Sequence, residues 1–467
     1  MVSIGLVGPS YQALSLPFNA ERSVNLFPVF DKSGKEVAAL YGTPGLELFG
    51  TAGVGAVRGC FASQNGRAFV VSGSTLYELN DAGTATSRGS LLQSSGNVSF
   101  AENPTQLAIC DGVTVYILTY SSNVFAEVAD SDLPVSGTIT FLDGYFIVNE
   151  VGTGKFFISA LNDGTSWAAL DFATAESSPD ALLRVYNAIG QLWLLGESTS
   201  EIWTNTGAAA FPFQRISGGK LEVGILAPFT AVATQSSLIW LGKDNFGSGI
   251  VYQTSSTQPK KISTEAIDLL ISRATEPENI TAYLYQEQGH VFYVLTGGGL
   301  ETTLALDLTT ELWHERAYLN SEGQYELHRG SCCMFAFGKQ LLGDRVNGNV
   351  YEMNMDIFAD NDEPILRERI YTHLFDDTKR IRYNTLEIGF ETGVGLQNGD
   401  GSNPVVALQL SKNGAKTWST TYTTPIGRVG AYMTKVCFRR LGVAEQMTFR
   451  IKISDPVRVA ICGSYLV

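Results

Sequence analysis

Five basic residues lie close together in the last quarter of the chain: Arg367, Arg369, Lys379, Arg380 and Arg382. Guanidinium and ammonium groups bind carboxylates and phosphates, so this cluster suits contact with an acidic protein or a nucleic-acid backbone. Alternation along a strand would place Arg367 with Arg369, and Arg380 with Arg382, on one face. A solvated strand face remains the alternative. The five residues are therefore a candidate partner interface.

Hydrolytic chemistry has one candidate motif, the segment from Ser411 to Trp418. Its sequence Ser-Lys-Asn-Gly-Ala-Lys-Thr-Trp resembles the Asp-box turn of sialidases, S-x-D-x-G-x-T-W, but Asn413 replaces the Asp and Ala415 the Gly. The motif occurs once, outside the repeats described below, where a hairpin turn explains it. The sequence carries no phosphate-binding loop, Gly-x-Gly-x-x-Gly, nucleophile elbow or His-Glu-x-x-His. We therefore predict no catalytic residue and no bound cofactor.

Metal-binding chemistry has little support in the sequence. The four histidines are not paired at a ligand spacing, and the six cysteines lack C-x-x-C spacing and lie mostly in apolar runs. We predict buried, reduced thiols and synthesis in a reducing cytoplasm. Several carboxylates stand beside Gly or Asn, where they suit turn hydrogen bonds, with ion binding or catalysis as the alternative. These carboxylates are Asp143, Asp163, Asp244 and Asp344.

The composition predicts an all-β protein. The chain has 467 residues, of which 44% are hydrophobic, 17% charged and 11% aromatic, and it contains 48 Gly. This balance favours many short strands and tight turns over long surface helices. No apolar run approaches the roughly 20 residues of a membrane helix, so we predict no membrane insertion.

A short hairpin pattern recurs along the chain. In the copy from Gly190 to Asn205, Leu192 to Leu195 form a run that needs cover on both faces, and Glu201 to Thr204 suit an outer strand. Seven copies are visible, and their closing positions are 39 to 54 residues apart: Tyr77, Tyr116, Phe157, Trp203, Tyr252, Leu306 and Tyr351. This period is typical of four-stranded propeller blades. We predict a β-propeller of six or seven blades, with a β-sandwich array or β-helix as alternatives.

The flanking regions differ from the repeats. Residues 1–55 are rich in Pro and Gly and predict an irregular segment joining the propeller of residues 56–357, with a strand stopped by Pro28 and a type II turn at Pro44-Gly45. Residues 263–273 predict a short amphipathic helix packed on the ring. Residues 364–467 contain alternating strands and predict a C-terminal β-sandwich.

The charge is unevenly distributed. Residues 364–467 contain 14 Lys or Arg and 8 Asp or Glu, a net charge of +6, whereas the total is −14, which leaves −20 for residues 1–363. An acidic body repels nucleic acid, and a basic terminal domain suits an acidic partner or DNA.

Two sequence islands, Asn25-Leu26-Phe27-Pro28 and Gly42-Thr43-Pro44-Gly45-Leu46, resemble the opening of the packaged-DNA stabilisation proteins, the tail hub or plug proteins of short-tailed bacteriophages. The resemblance continues through the hairpins, Lys220 to Ile225, and the C-terminal segments Leu408 to Ser411 and Phe449 to Ile451. It implies a propeller and a C-terminal β-domain, in a structural protein of the virion tail without catalytic residues.

The same resemblance implies the partners. The family forms a ring of six copies below the portal adaptor protein, closes the channel over the packaged DNA, and carries tail fibres or spikes and a needle or nozzle. The family assigns no binding residue here, so the basic cluster rests on the residues alone. A sialidase-like glycosidase and a non-viral ligand-binding propeller remain the alternatives.

Overall fold

The computed structural model describes residues 2–30, 38–175, 178–243, 247, 249–371, 374–375 and 379–466. The N-terminal region is built from short strands: β1 (Val2–Ser3), β2 (Tyr11–Gln12), β3 (Ala20–Val24), β4 (Leu26–Phe30), β5 (Ala38–Gly42) and β6 (Gly45–Thr51). The prediction of an irregular segment is therefore wrong for these residues. Pro28 lies within β4, and Gly45 begins β6 instead of taking the positive φ of a type II turn.

Seven successive four-stranded antiparallel units follow in the described part of the chain. Their strands are β7 (Val57–Ala62), β8 (Ala68–Ser72), β9 (Thr75–Leu79) and β10 (Ala85–Ser90); β11 (Ser99–Glu102), β12 (Gln106–Cys110), β13 (Val115–Thr119) and β14 (Val124–Glu127); β15 (Ser136–Leu142), β16 (Tyr145–Glu150), β17 (Lys155–Ala160) and β18 (Asp163–Thr174); β19 (Leu182–Ala188), β20 (Gln191–Gly196), β21 (Ser200–Asn205) and β22 (Phe213–Leu221); β23 (Val232–Ala233), β24 (Leu238–Lys243), β25 (Gly249–Thr254) and β26 (Lys260–Lys261); β27 (Ile280–Glu287), β28 (His290–Gly297), β29 (Thr303–Asp307) and β30 (Leu312–Leu319), with β31 (Tyr325–Leu327) beside β30; and β32 (Gly330–Ala336), β33 (Lys339–Asp344) and β34 (Asn349–Asn354), completed by β6.

The units close into a ring because each shares an apolar core with the next. In the fourth unit, Leu192 and Leu194 pack against the third unit, whereas Trp193 and Leu195 pack against the fifth. Successive side chains of a strand point to opposite faces, so a fully apolar strand serves two neighbours. The seventh unit packs in the same way on the first, through Leu341, Val350 and Val70 among others. The chain thus forms a β-propeller, and the described residues supply seven blades.

Strand β6 closes the ring. It pairs antiparallel with β34, from Gly45 opposite Asn354 to Thr51 opposite Asn349, and so completes the last blade with residues from the start of the chain. The predicted outer position of Glu201 to Thr204 is wrong, because β22 lies outside β21. Glu201 is buried there and accepts a hydrogen bond from Trp203 Nε1 at 2.7 Å.

The predicted amphipathic helix is present as α1 (Glu265–Ser272). Thr264 caps it by accepting a hydrogen bond from the Ile267 amide at 3.4 Å. Ile267 and Ile271 are buried in the core between the fifth and sixth blades, so the helix packs on the ring as expected. Two 3₁₀ turns, Pro228–Thr230 and Pro277–Asn279, precede β23 and β27.

A β-sandwich follows the propeller. Two short strands, β35 (Ala359–Asp360) and β36 (Glu363–Pro364), first extend the seventh blade. The strands of the sandwich that come after them are β37 (Arg367–Ile370), β38 (Leu374–Phe375), β39 (Ile381–Phe390), β40 (Val405–Ser411), β41 (Tyr422–Pro425), β42 (Val436–Ala444), β43 (Gln446–Ile453) and β44 (Ala460–Leu466). One sheet has the order β4-β5-β44-β39-β42, with β1 beside β44. The other contains β3-β37-β43-β40-β41 and continues from β30 of the sixth blade.

Candidate functional site

Strand β37 places Arg367 and Arg369 on one face, as alternation predicts, but that face is internal. Arg369 is fully buried and donates hydrogen bonds to the carbonyls of Leu6 and Pro9, both at 2.7 Å. Arg367 is also buried and donates to the carbonyl of Asp455 at 3.3 Å. Burial lowers the pKa of each guanidinium to about 10.

Arg367 and Arg369 therefore do not form a surface for a partner, and this part of the predicted interface is wrong. The physical reason is that β37 lies between β3 and β43 in its sheet and that distant parts of the chain cover the arginine face, Leu6 and Pro9 at Arg369 and Asp455 at Arg367. Strand alternation identifies a shared face but not whether that face is covered. Arg369 holds the N-terminal segment onto the sandwich, whereas Arg367 bonds within the sandwich.

The other three predicted residues, Lys379, Arg380 and Arg382, are exposed. Arg382 lies in β39 opposite Val443 of β42, and the neighbouring Tyr383 points into the sandwich core. Arg439 in β42 is likewise exposed, beside the core residue Phe438. Arg382 and Arg439 thus lie on the outer face of the same strand pair.

Two further cations extend this outer face. Lys412 donates from Nζ to the carbonyl of Val443 at 3.2 Å, and Arg440 is exposed at a bulge of β42 with φ of 61°. We call the set the basic surface: Arg380, Arg382, Lys412, Arg439 and Arg440. Sequence reasoning missed the last three, although the Arg439-Arg440 pair directly after an apolar strand was a signal for them.

A network of charged groups joins the propeller to the sandwich. Arg22 of β3 forms a two-pronged contact with Glu315 of β30, with Nη2 to Oε2 at 2.6 Å and Nε to Oε1 at 3.1 Å. Arg22 also lies 3.8 Å from Glu368 of β37, which lies 3.3 Å from Lys452 of β43. Ser10 donates to Glu315 at 2.7 Å. We call this network the junction, because it connects a blade, the N-terminal segment and the sandwich.

Asn25 crosses the junction between β3 and β4. Its Nδ2 donates to the carbonyls of Ala317 at 2.9 Å and Leu366 at 3.0 Å, and its Oδ1 accepts from the Ala317 amide at 3.0 Å. The residue has φ of 54°, a left-handed conformation that Asn tolerates better than most residues. The first island of the family resemblance therefore has a structural role.

The second island meets the same region from the other side. The amide of Thr43 donates to the carbonyl of Asn25 at 3.1 Å, and the carbonyl of Pro44 accepts from Arg316 Nη2 at 2.9 Å. A Cβ at Gly45 would lie 2.5 Å from the backbone oxygens of Ile357 and Ala359. Glycine is required there because two backbone segments approach this closely.

The Asp-box-like segment lies in the connection between β40 and β41, so the hairpin-turn interpretation is confirmed. Ser411 Oγ accepts from the Ala415 amide at 3.0 Å, and Asn413 Oδ1 accepts from the Thr417 amide at 3.0 Å. Ala415 has φ of 62°, which explains why the sialidase pattern has Gly there. Trp418 packs under Arg450, 4.2 Å from its guanidinium carbon to the ring centre.

Two of the predicted turn carboxylates, Asp163 and Asp344, accept hydrogen bonds within their own turns. Asp163 accepts from the Thr165 amide at 3.0 Å, and these hydrogen bonds hold the pKa of Asp163 below its usual value against the effect of burial. Asp344 accepts from the Val346 amide at 2.7 Å and from the Tyr351 hydroxyl at 2.8 Å. Asp143 has φ of 49°, between β15 and β16. Asp244 lies outside the described residues.

Within the described ranges, the structure contains no group of three His, Cys, Asp or Glu side chains arranged to hold a metal ion. The six cysteines are free thiols: Cys60, Cys110, Cys332, Cys333, Cys437 and Cys462. In the same described ranges, no helix is long and apolar enough to cross a membrane.

His314 of β30 is a buried, neutral histidine between the sixth blade and the N-terminal segment. Its ring lies 5.7 Å from that of Phe292 and 6.0 Å from that of Phe27. Neither ring nitrogen has a hydrogen-bond partner among the described residues. Burial, assisted by the positive charge of Arg316, lowers the pKa of His314 to about 3.

This depressed pKa predicts an acid-sensitive fold. An unfolded histidine binds a proton below a pKa of about 6.5, whereas folded His314 stays neutral down to about 3, so its contribution to stability is lost as the pH falls through this range. We expect His314→Phe to reduce the drop in the free energy of unfolding between pH 7 and pH 5 by about 2 kcal/mol at most. Urea denaturation at pH 7 and at pH 5 measures the free energy of unfolding of each protein. If this free energy falls equally in the parent and in the variant, His314 does not cause the acid sensitivity.

The comparisons with known proteins agree with this architecture. A family described as bacteriophage P22 Gp10, beta-propeller, matches residues 4–358, and one described as bacteriophage P22 Gp10, beta-sandwich, matches residues 367–466. No curated protein matches the sequence at a significant level.

Three solved structures align with most of this chain at low sequence identity. The computationally designed Ika8 protein is 14% identical, with 75% of this chain and 99% of that chain covered and a TM-score of 0.40. The N-terminal domain of Nup159 is 8% identical, with 67% and 95% covered and a TM-score of 0.40. The Cps50 (Swd1) beta-propeller domain of Myceliophteria thermophila is 8% identical, with 66% and 99% covered and a TM-score of 0.43.

The two family matches follow one another along the chain in the order of the propeller and the sandwich, and together they span nearly all of it. The chain therefore belongs to the bacteriophage P22 Gp10 family, the packaged-DNA stabilisation or tail hub proteins of phage virions.

Proposed function

We propose that the protein is a structural hub of the phage tail that sits below the portal adaptor as a ring of six copies. In this position it closes the DNA channel after packaging and provides attachment for tail fibres or spikes and for a needle or nozzle. The proposal assigns it no catalysis. The observation that supports it best is the family match over both domains in their order along the chain.

The charge distribution suits this role. Residues 1–363 carry a net charge of −20, so a channel lined by the propeller would not hold the phosphate backbone of a passing genome. The opposite charge is concentrated in the sandwich, where the basic surface occupies the outer face of β39 and β42. The domain that would dock on a protein partner is therefore separated from the domain that would face DNA.

Within the proposed function, the basic surface binds an acidic face of the portal adaptor. Arg382 and Arg439 point outward from neighbouring strands, so both can contact one flat partner. Opposite charges across an interface mainly accelerate association and select the partner, and salt screens them. Binding should therefore depend on ionic strength.

Charge reversal tests this interface. We expect Arg382→Glu with Arg439→Glu to weaken binding to a purified portal–adaptor complex at least tenfold at low salt and to flatten the salt dependence, because attraction becomes repulsion. Sedimentation velocity at several salt concentrations measures both effects. Lys260→Glu is the matched control, since Lys260 is an exposed propeller cation at 3.9 Å from Glu311. Unchanged, salt-sensitive binding by the double variant would refute the interface.

Imaging tests the hub itself, separately from the interface. Electron microscopy of the protein mixed with portal and adaptor should show a six-fold ring at the end of the portal complex. Failure of the parent protein to join that complex would overturn the hub role, whereas joining by both parent and double variant would overturn only the basic surface. Turnover of fluorogenic glycosides by the purified chain would instead support the enzymatic alternative.

A further inference from the structure

A cavity of about 400 Å³ lies at the centre of the propeller. The first strand of each blade faces this centre, and neighbouring blades touch through these first strands, for example β32 with β7 and β15 with β19. The described lining comes from β7, β11, β19, β23, β27 and β32 and from the Pro228–Thr230 turn. The cavity is therefore bounded by six of the seven blades.

Arg184 of β19 lines this cavity, although its side chain is nine-tenths buried, with a residue exposure of 9%. Its guanidinium carbon stacks 4.8 Å from the ring centre of Phe229 and 5.4 Å from that of Tyr186. Nε and Nη1 are both buried without a hydrogen-bond partner among the described residues. Two donors of a permanent cation are thus left unused, which is costly in a folded protein.

The surroundings do not neutralise this charge. Among the described residues Arg184 forms no ion pair, and the ionisable groups that act on it are Tyr186 and Cys110, neither of which is a carboxylate. Arg58 of β7 is a second buried arginine in the lining and also leaves its Nη2 without a partner in the described part of the chain. No described lining residue is Asp or Glu, although the whole chain carries a net charge of −14.

Arg58 and Arg184 differ in the hydrogen bonds that they form within the protein. Arg58 donates to the carbonyls of Gly96 and Gln93, both at 2.6 Å, and of Gly73 at 2.9 Å, so it mainly fixes loops at the ring centre. Among the described residues Arg184 donates to no carbonyl, and its guanidinium stacks on the rings of Phe229 and Tyr186. A guanidinium stacked in this way still has donors for the oxygens of an anion.

We propose that the central cavity of the propeller binds a small oxyanion, of the phosphate or sulfate class, through Arg184. The anion accepts hydrogen bonds from the Arg184 guanidinium and neutralises the buried charge. The cavity exceeds by more than tenfold the roughly 30 Å³ that a water occupies, so it has room for such an ion with its remaining hydration. Because the bound anion offsets an uncompensated buried cation, it would stabilise the folded propeller.

The test is thermal unfolding and calorimetric titration of the full chain with sodium phosphate against sodium chloride at constant ionic strength. We expect phosphate to raise the unfolding midpoint and to bind with one site per chain, and Arg184→Met to weaken this binding at least tenfold. Arg273→Met is the control, because it removes an exposed arginine outside both the cavity and the basic surface and should leave phosphate binding unchanged. Equal binding by parent and Arg184→Met, or no phosphate binding by the parent, would overturn the proposal.

A second measurement does not depend on the variant folding. Crystals of the parent chain soaked in sodium selenate should show an anomalous selenium peak in the central cavity, with selenate oxygens within hydrogen-bond distance of the Arg184 guanidinium. Selenium peaks only at surface cations, with none in the central cavity, would reject the site. Because neither experiment uses a virion partner, their outcome is independent of the hub role.

Discussion

Replacing Asn25 with Ala is expected to lower the free energy of unfolding by about 4 kcal/mol. The change removes three side-chain hydrogen bonds and leaves the Ala317 amide and the carbonyls of Ala317 and Leu366 without their partner. It also places a residue that disfavours the left-handed region at φ of 54°. The loss should be large because Asn25 is buried, so water cannot take over these hydrogen bonds.

Urea denaturation gives the size of the effect, and hydrogen–deuterium exchange gives its place. Exchange should accelerate first in β3, in β30 around Ala317 and in β37, since these strands meet at Asn25. Asn361→Ala is the matched control: Asn361 has φ of 53° but is exposed. Equal destabilisation by the two variants would show that backbone strain, and not the hydrogen bonds, accounts for the effect.

Replacing Glu315 with Ala should destabilise the junction by about 3–5 kcal/mol. The carboxylate accepts hydrogen bonds from both Arg22 and Ser10 and is almost fully buried. Without it, the remaining described carboxylate beside Arg22 is Glu368, at the longer distance of 3.8 Å. Removing one partner of a buried ion pair is costly because the other charge stays desolvated.

The comparison for this second variant is Glu311→Ala. Glu311 is 79% exposed and lies 3.9 Å from Lys260, which is 69% exposed, so its removal should change stability little. Limited proteolysis adds a structural test, because the Glu315 variant should release the N-terminal segment and become cleavable between β1 and β6. A Glu315 variant as stable and as protease-resistant as the Glu311 variant would show that the junction does not depend on this carboxylate.

The blades could be predicted from the sequence because the information for each is local. Trp193 and its neighbours form an uninterrupted apolar run, and the partner strand β21 begins only a few residues after it. Each hairpin therefore shows its two strands and its turn within one short window. The repeat spacing then indicated a ring, and the seven cores between blades confirm it.

The closing strand could not be found in this way. Residues 45–51 have an ordinary strand sequence, but their partner β34 lies at the far end of the propeller, and nothing local connects the two. The same holds for β3, which pairs with β37 of the sandwich. The N-terminal strands are short, and the segment that contains them is rich in Pro and Gly. Its composition is therefore typical of a loop, even though distant strands hold these residues in sheets.

The candidate site was half predictable for a related reason. Alternation correctly placed Arg367 with Arg369, but the residues that cover them are far away in the sequence: Leu6 and Pro9 for Arg369 and Asp455 for Arg367. Arg382 was found because its strand has a single apolar face, which leaves the other face to solvent. Arg184 gave no signal, since its isolation among aromatic rings at the ring centre exists only once the blades are assembled.

Strand β6 closes the propeller but is synthesised long before the strand with which it pairs. Translation delivers β6 first, but its partner β34 follows roughly 300 residues later, which at about 5–20 residues per second is a wait of 15–60 s. Strand β3 waits longer still, because it pairs with β37 of the sandwich. The oldest part of the nascent chain is thus the last to find its place, and a polypeptide that stalls on the ribosome before β34 is made stays an open ring.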